Sequence, residues 1–453
     1  MIHEMPDLCH RTGKPVATLL RNLLFPCYTS RTMVSDFIIY GLIVLAFAGI
    51  AAGRLPRLAM NRASIALSAA ILLILAGGIG YEEALRAVDL ETISLLLAMM
   101  ILVANLRISG FFSLAGEKIL TLANSPGAFL AIVVLASGFL SALFLNDTIC
   151  IMLTPLVAEI ARRAGRDGKP YLIGLATAAN AGSCATAIGN PQNMLIASQS
   201  GIPFFEFVLW LAPPSILAMA FCYLATLLAF PKEFAPGQAT FAPSAAAAAE
   251  GASTAASRRV DMDRHLMVKS LAAAAILLLL LALGLRTSVA ALTAAGFLMI
   301  TRRIRPDRVF AEVDFGLLVF FSGLFVLTAS VARSPLFGRF MQGILPWMDR
   351  PGAVFALATV FTSNIVSNVP AVMLLSPVAR GFENPATAWL MLAMASTYAG
   401  NLTLLGSVAN LIVVEQGEKA GIRIGFLDYL KVGLPVTAAS IAAGTAWLAL
   451  LRP

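Results

Sequence analysis

Two short stretches place clustered polar groups inside apolar chain: SALFLNDTICIMLTP, Ser141–Pro155, and NAGSCATAIGNPQN, Asn180–Asn193. In the first, Asn146, Asp147 and Thr148 offer amide, carboxylate and hydroxyl oxygens at consecutive positions. Hard cations such as sodium take oxygen ligands of this kind, so a sodium site is expected there. Asp147 is the carboxylate placed deepest in apolar sequence. It can bind sodium, carry a proton or balance a cationic partner. The bland alternative is a turn capped by its own side chains. In the second stretch, Ser183, Thr186, Asn190, Gln192 and Asn193 crowd around the helix breakers Gly182, Gly189 and Pro191. A helix broken there exposes an N-terminus that attracts anions and carbonyls that suit cations. Packing through small residues would use the same glycines. The Asn and Thr side chains fit that alternative less well, because each buried polar atom needs a partner.

Both stretches return later in the chain, as TSNIVSNVPAVMLLSP, Thr362–Pro377, and AGNLTLLGSVAN, Ala399–Asn410. Pro377 and Asn368 each lie 222 positions after Pro155 and Asn146, and Gly406 and Asn410 each lie 217 after Gly189 and Asn193. A repeat in fixed order is a fold-level signal. Asn364, Ser367 and Asn368 are therefore candidates at a second tip, and Gly400, Asn401, Thr403, Gly406, Ser407 and Asn410 at a second break. The two tips are chemically unequal, because Val369 stands where Asp147 stood. A single coupling proton or sodium near the first tip is the economical inference.

The elements that must hold these residues are membrane helices. The chain has 453 residues, 59% hydrophobic and only 12% charged, against about 25% charged in soluble domains. Long apolar runs recur, which makes this a polytopic membrane protein in contact with a lipid bilayer. Spans are expected at 36–52, 64–80, 92–113 and 206–230, then at 266–285, 287–301, 313–331 and 430–450. Broken spans are expected at 170–200 and 386–415. As one helix, 127–161 would run roughly 52 Å, too long for a hydrocarbon core of about 30 Å. Split at Asn146-Asp147-Thr148, it leaves about 13 residues beyond the cluster, too few to span. A re-entrant hairpin is the expectation here, and another over 351–380.

Four regions follow: an N-terminal tail 1–35, a first transmembrane repeat 36–230, an Ala/Ser/Pro/Gly-rich flexible linker 231–265, and a second repeat 266–453. Met33 directly precedes the first span and is a candidate true start. Five full spans per half is an odd number, so the second repeat should be inverted. Positive charge agrees: Arg162, Arg163, Arg166 and Lys169 crowd one expected cytoplasmic loop, and Arg302, Arg303, Arg305 and Arg308 another. The two tips would then meet near the bilayer midplane, as in inverted-repeat transporters.

Other classes fit poorly. The net charge of +8 suits cytoplasmic loops, and no basic helix or aromatic stripe suggests nucleic acid. Cys9, Cys27, Cys150, Cys184 and Cys222 form no CxxC pair, so neither a disulfide scaffold nor a zinc site is supported. His3, His10 and His265 lie outside the spans, which argues against an intramembrane hydrolase and against an enzyme generally. No cofactor is implied, and no GxxxxGK[ST] loop is present, so any partner ATPase would be a separate chain. Thiolates of Cys150 and Cys184 could bind soft arsenic, but small buried hydrophobes are the commoner role. Arg107 either snorkels to the surface or helps hold an anion.

NDTICIMLTP, NAGSCATAIGNPQN, SNVPAVMLLSP and GSVANLIVVE resemble motifs of the ion transporter superfamily. Its members include arsenite permeases, citrate-transporter-like permeases, divalent-anion/sodium symporters and sodium/proton antiporters. The likeness is nearest the arsenite-permease and citrate-transporter-like branch. It implies an all-α fold of two inverted repeats of five transmembrane helices, each with a re-entrant hairpin and a discontinuous helix. It also implies a multi-pass inner-membrane protein, often a homodimer, with tip residues at Asn146, Asp147, Thr148, Ser367 and Asn368. Its broken-helix residues fall at Gly189, Asn193, Gly406 and Asn410. The tips depart from the Ser-Asn-Thr of sodium-coupled dicarboxylate carriers. The expected function is secondary transport of a small anion, oxyanion or neutral acid such as arsenite or antimonite. A sodium/proton antiporter and a citrate or dicarboxylate permease are the alternatives.

Overall fold

The computed structural model of the protein describes residues 33–52, 59–112, 114, 124–235, 262–300, 304–344 and 351–451. Nearly all of the expected tail and most of the expected linker lie outside the described residues, as do Arg302 and Arg303. Among the described residues every regular element is a helix. In chain order they begin with α1 (Met33–Ala52), α2 (Arg62–Leu75), α3 (Tyr81–Ala87) and α4 (Leu90–Ile108). There follow α5 (Pro126–Leu143), α6 (Asn146–Arg163), α7 (Lys169–Ser183), α8 (Pro191–Ser200) and α9 (Phe204–Ala229). The later chain holds α10 (Arg264–Ala282), α11 (Thr287–Met299), α12 (Pro306–Phe310), α13 (Phe315–Ala332) and α14 (Pro335–Ile344). It closes with α15 (Ala353–Val366), α16 (Asn368–Gly381), α17 (Pro385–Ala399), α18 (Val408–Lys419) and α19 (Phe426–Leu451). Six of these, α4, α5, α9, α10, α13 and α19, are long and apolar enough to cross a membrane.

The chain divides into two compact units. The first comprises Met1–Val88 and Val319–Pro346. Its small core is Ala70, Ile79, Ala84 and Val326, flanked by Ile74, Val88 and Ala329. Asn61 and Ser64 cap α2 reciprocally, which satisfies N–H groups that a helix start leaves unpaired. The helix stops before Gly77, whose φ of 73° suits a residue without a side chain. α2 is therefore 14 residues, shorter than the span expected over 64–80. Arg333 pairs with Glu83. The ten-residue α14 was not legible in the sequence, because Pro335 and its shortness read as a loop.

The second unit, Asp89–Leu318 with Trp347–Pro453, contains the hairpins and both broken helices. Asp89 and Asp314 each receive the N–H three residues on, at 3.0 Å, and so open α4 and α13 in the same way. The first hairpin begins at Ser125, which caps α5 ahead of Pro126. Phe144 and Leu145 make the bend, and α6 starts at Asn146. The expected short second arm is corrected here. The polar cluster does not break the helix but forms its first turn, where N–H groups are unpaired and an acid is favoured. α6 then runs 18 residues, about 27 Å. The second hairpin turns on the single residue Ser367 between α15 and α16. The expected span 287–301 is a helix of only 13 residues.

The packing recurs in register. α7 lies against α5, α6 and α9, as α17 lies against α15, α16 and α19. α18, beyond the second break, packs on α6 of the first hairpin, and α8, beyond the first break, packs on α16 of the second. At Gly182 in α7 an added Cβ would sit 2.1 Å from Gly138 O in α5. Backbones that close leave no room for a side chain, and this contact fixes the first break against the first hairpin.

Candidate solute and ion site

Asn180, on α7 three residues before the helix ends, joins the first tip to the second break. Its Nδ2 donates to Asn401 Oδ1 at 2.9 Å and to Asn410 Oδ1 at 3.0 Å. Its Oδ1 accepts from Asn146 Nδ2 and from Ser407 Oγ, both at 3.1 Å. A primary amide offers two donors and one two-lone-pair acceptor, so this side chain is fully used. Asn401 is oriented by its own donation to Thr177 O at 3.0 Å.

The two breaks are built alike. Asn193 Nδ2 donates to Ser183 O at 3.3 Å and Thr186 O at 3.0 Å. Asn410 Nδ2 donates to Gly400 O at 2.7 Å and Thr403 O at 3.1 Å. In each case the amide bridges two carbonyls across the interruption, and Ser183 O and Thr403 O have a second donor in Asn190 Nδ2 and the Gly406 N–H. Each break also touches its own hairpin. Thr186 Oγ1 donates to Ala142 O at 2.5 Å, and Thr403 Oγ1 lies 3.5 Å from Asn364 Oδ1. Asn146 N–H donates to Gly189 O at 3.0 Å. At Gly189 a Cβ would fall 2.3 Å from Ser183 O, while at Gly406 its nearest atom would be Gly400 O at 3.0 Å. Asn190 caps α8 by accepting Asn193 N–H, and donates to Ser183 Oγ at 2.9 Å. Thr397 Oγ1 receives Asn190 Nδ2 and Gln192 Nε2, each at 3.3 Å.

Asn146, Asn180, Ser183, Asn190, Asn193, Asn401 and Asn410 are all buried. Burying unpaired amides in hydrocarbon is costly, and the network removes that cost for nearly every atom. The exceptions are informative. Ser141 Oγ, Asn146 Oδ1, Ser363 Oγ and Asn368 Oδ1 are buried with no hydrogen-bond partner. Ser363 lies 222 positions after Ser141, as Asn368 does after Asn146. The two tips thus leave the same pair of oxygens unpaired. At the second tip Ser367 takes φ 78° and ψ 162°, the one non-glycine positive φ among the described residues.

The structure brings Asn146, Ser183, Thr186, Gly189, Asn190, Asn193, Asn364, Asn401, Thr403, Gly406 and Asn410 into this connected arrangement, with Ser367 and Asn368 at the second tip. Asp147 and Thr148 follow Asn146 in the first turn of α6 and are half-buried. The sequence reading passed over Asn180, Thr397, Ser141 and Ser363 as site residues. The repeat register pairs Ser363 with Ser141 and Thr397 with Asn180, 222 and 217 positions apart, but gives none of them a role. Arg107 pairs with Glu312 at 2.6 Å and so does not stand alone to hold an anion. Cys150 and Cys184 are wholly buried.

Comparison with known proteins finds a family and similar chains. The citrate transporter family model matches residues 42–399. The silicon efflux transporter LSI3 of Oryza sativa subsp. japonica is 32% identical, over 86% of this chain and 92% of its own. A transporter named arsB of Dictyostelium discoideum is 27% identical, over 90% of each chain. The solved structure of the Alcanivorax borkumensis YdaH transporter covers 92% of this chain and 99% of its own at 15% identity and a TM-score of 0.49. A matched family model over most of the chain, full-length transporter relatives and six membrane-capable helices lead to one conclusion: the chain belongs to the citrate transporter family and is a multi-pass membrane transporter.

Proposed function

We propose that this transporter moves a small oxyanion or its neutral acid, with arsenite or antimonite as the named candidate, coupled to protons or sodium. The observation that carries the reading is the set of four unpaired buried oxygens at the two tips, Ser141 Oγ, Asn146 Oδ1, Ser363 Oγ and Asn368 Oδ1. Arsenite near neutral pH is mostly an uncharged hydroxy acid, and its O–H groups are donors for such acceptors. Sodium would use the same oxygens as ligands. The named polar groups of the breaks are amides and hydroxyls, a lining suited to a neutral solute or to an anion whose charge a coupling cation offsets. Asp147, in the first turn of α6, is the group we assign to coupling. The relatives point the same way: one is named for silicon efflux, whose dissolved form is also a neutral hydroxy acid, and another is named arsB.

The family's description favours a second reading, citrate. A tricarboxylate would need positive charge beside it, from coupling sodium, with the N–H groups opening α8 as neutral donors. In either reading, hairpin tips and broken helices of two inverted halves would move together past the rest of the protein to alternate access.

The test is uptake into proteoliposomes, comparing arsenite, citrate and sodium under an imposed pH gradient, with Asp147→Asn beside the wild type. Arsenite movement that is lost in the variant supports the reading. Citrate movement alone replaces the solute. Sodium moving against the proton gradient with no anion or acid transported overturns the reading and makes the protein an antiporter.

A further inference from the structure

We infer that Asn180 is a positioning residue that fixes the orientation of the first tip's amide and ties it to the second break. The inference rests on the reading of the tips as the binding site. Asn146 Nδ2 is held by Asn180 Oδ1 at 3.1 Å. An amide held by its nitrogen must present its oxygen on the other side, and Asn146 Oδ1 is the buried atom left without a partner. Asn180 cannot itself flip to release that hold. Its nitrogen faces two acceptors, Asn401 Oδ1 and Asn410 Oδ1, and its oxygen faces two donors, Asn146 Nδ2 and Ser407 Oγ. Turning it by half would set donors against donors and acceptors against acceptors. The acceptors are themselves fixed, since Asn410 Nδ2 is committed to Gly400 O and Thr403 O, and Asn401 Nδ2 to Thr177 O. The orientation of the oxygen offered at the first tip is therefore set by carbonyls around the second break. The first tip and the second break share one side chain, 34 positions from Asn146 and 230 from Asn410, and a ligand that draws on Asn146 Oδ1 pulls on both.

The test is a double-mutant cycle on transport, using Asn146→Ala, Asn180→Ala and the double variant in proteoliposomes, with arsenite, citrate and sodium as probes. Asn180→Ala should raise the half-saturation concentration of the transported probe about tenfold, the loss of one well-placed hydrogen bond. In half-saturation the double variant should be no worse than Asn146→Ala alone, because Asn180 sets affinity through Asn146, while its tie to the second break is read in the maximal rate. Asn180→Asp as the neutral acid keeps an acceptor for Asn146 but brings the second break one O–H donor in place of two N–H donors. It should lower the maximal rate while leaving half-saturation within about threefold of wild type. Thermal unfolding of the wild type and the four variants shows whether each is folded. If the two single effects multiply in the double variant, or if Asn180→Ala leaves half-saturation unchanged, the positioning role is overturned while the site reading stands. If the wild type moves none of the three probes, the site reading falls and the positioning role falls with it.

Discussion

The side-chain amide of Asn180 donates to that of Asn410 across 230 positions of chain, at 3.0 Å. Asn410 can accept because its own nitrogen is already committed to Gly400 O and Thr403 O. Asn193 makes the equivalent pair of bonds, to Ser183 O and Thr186 O. Each of these asparagines closes a broken helix with one amide, and both are fully buried.

Asn193→Ala and Asn410→Ala should therefore behave alike. Each takes the side-chain donor from one carbonyl, Thr186 O or Gly400 O, a cost of about 1–3 kcal/mol. Each also takes one of two donors from another, since Ser183 O keeps Asn190 Nδ2 and Thr403 O keeps the Gly406 N–H. Both variants should unfold at clearly lower temperature than wild type and lose transport. Asn→Asp should rescue neither fully, since a buried carboxylic acid brings one donor where the amide brings two. A variant pair in which only one break matters would show that the common bonding pattern has no common role. Thermal unfolding in detergent and uptake on the same preparations decide it.

The glycines of the two breaks should differ. A Cβ at residue 189 would lie 2.3 Å from Ser183 O and 2.8 Å from Ser141 O, both main-chain atoms that cannot rotate away. At residue 406 the nearest atom is 3.0 Å away. Gly189→Ala should abolish transport and reduce the yield of monodisperse protein. Gly406→Ala should retain folded protein with a partial loss of rate. Equal tolerance at both positions, measured by size-exclusion profile and uptake, would count against the close approach at the first break.

Much of this arrangement is written in residue type and spacing. The apolar runs give most of the helices, and the offsets of 222 and 217 between like motifs give the paired hairpins and breaks. Three things were not legible. The Asn146-Asp147-Thr148 cluster reads as a helix breaker, yet polar residues also start helices, and only the fold shows that α6 begins there. Asn180 looks like one polar residue in an Ala-rich helix, and its partners are too distant in sequence for any local pattern to name. Ser141 and Ser363 look like packing residues, and only burial without a partner marks them.

Arg107 gives a check on the anion site. It pairs with Glu312, and both side chains are partly exposed, at 46% and 32%. An ion pair of that exposure contributes about 0–1 kcal/mol. Arg107→Gln should change unfolding temperature little and leave the half-saturation concentration for solute within about twofold of wild type, since only an arginine that touched the anion would give up the 1.5–3 kcal/mol of a charged hydrogen bond. A tenfold or greater rise would move the anion site toward α4.

Ser367 is the strained point of the second tip. Its φ of 78° with ψ of 162° is a backbone region that glycine enters freely and other residues enter at about 1–3 kcal/mol. The strain follows from the hairpin's economy. One residue separates the end of α15 from the start of α16, and a one-residue reversal between helices needs an unusual dihedral pair. Asn368 follows immediately, with Oδ1 buried and unpaired, so the bend also aims the candidate ligand oxygen. Ser367→Gly removes the steric cost and should raise the unfolding temperature, by an amount equivalent to about 1 kcal/mol after glycine's extra unfolded-state entropy is deducted. Ser367→Ala keeps the cost and should not. Transport separates the hydroxyl from the backbone. If the hydroxyl takes part in binding, both variants lose affinity together. If the tip works through its bend, the alanine variant transports like wild type and the glycine variant, more stable but less fixed, is slower. A glycine variant no more stable than wild type would mean that the tip stores no strain.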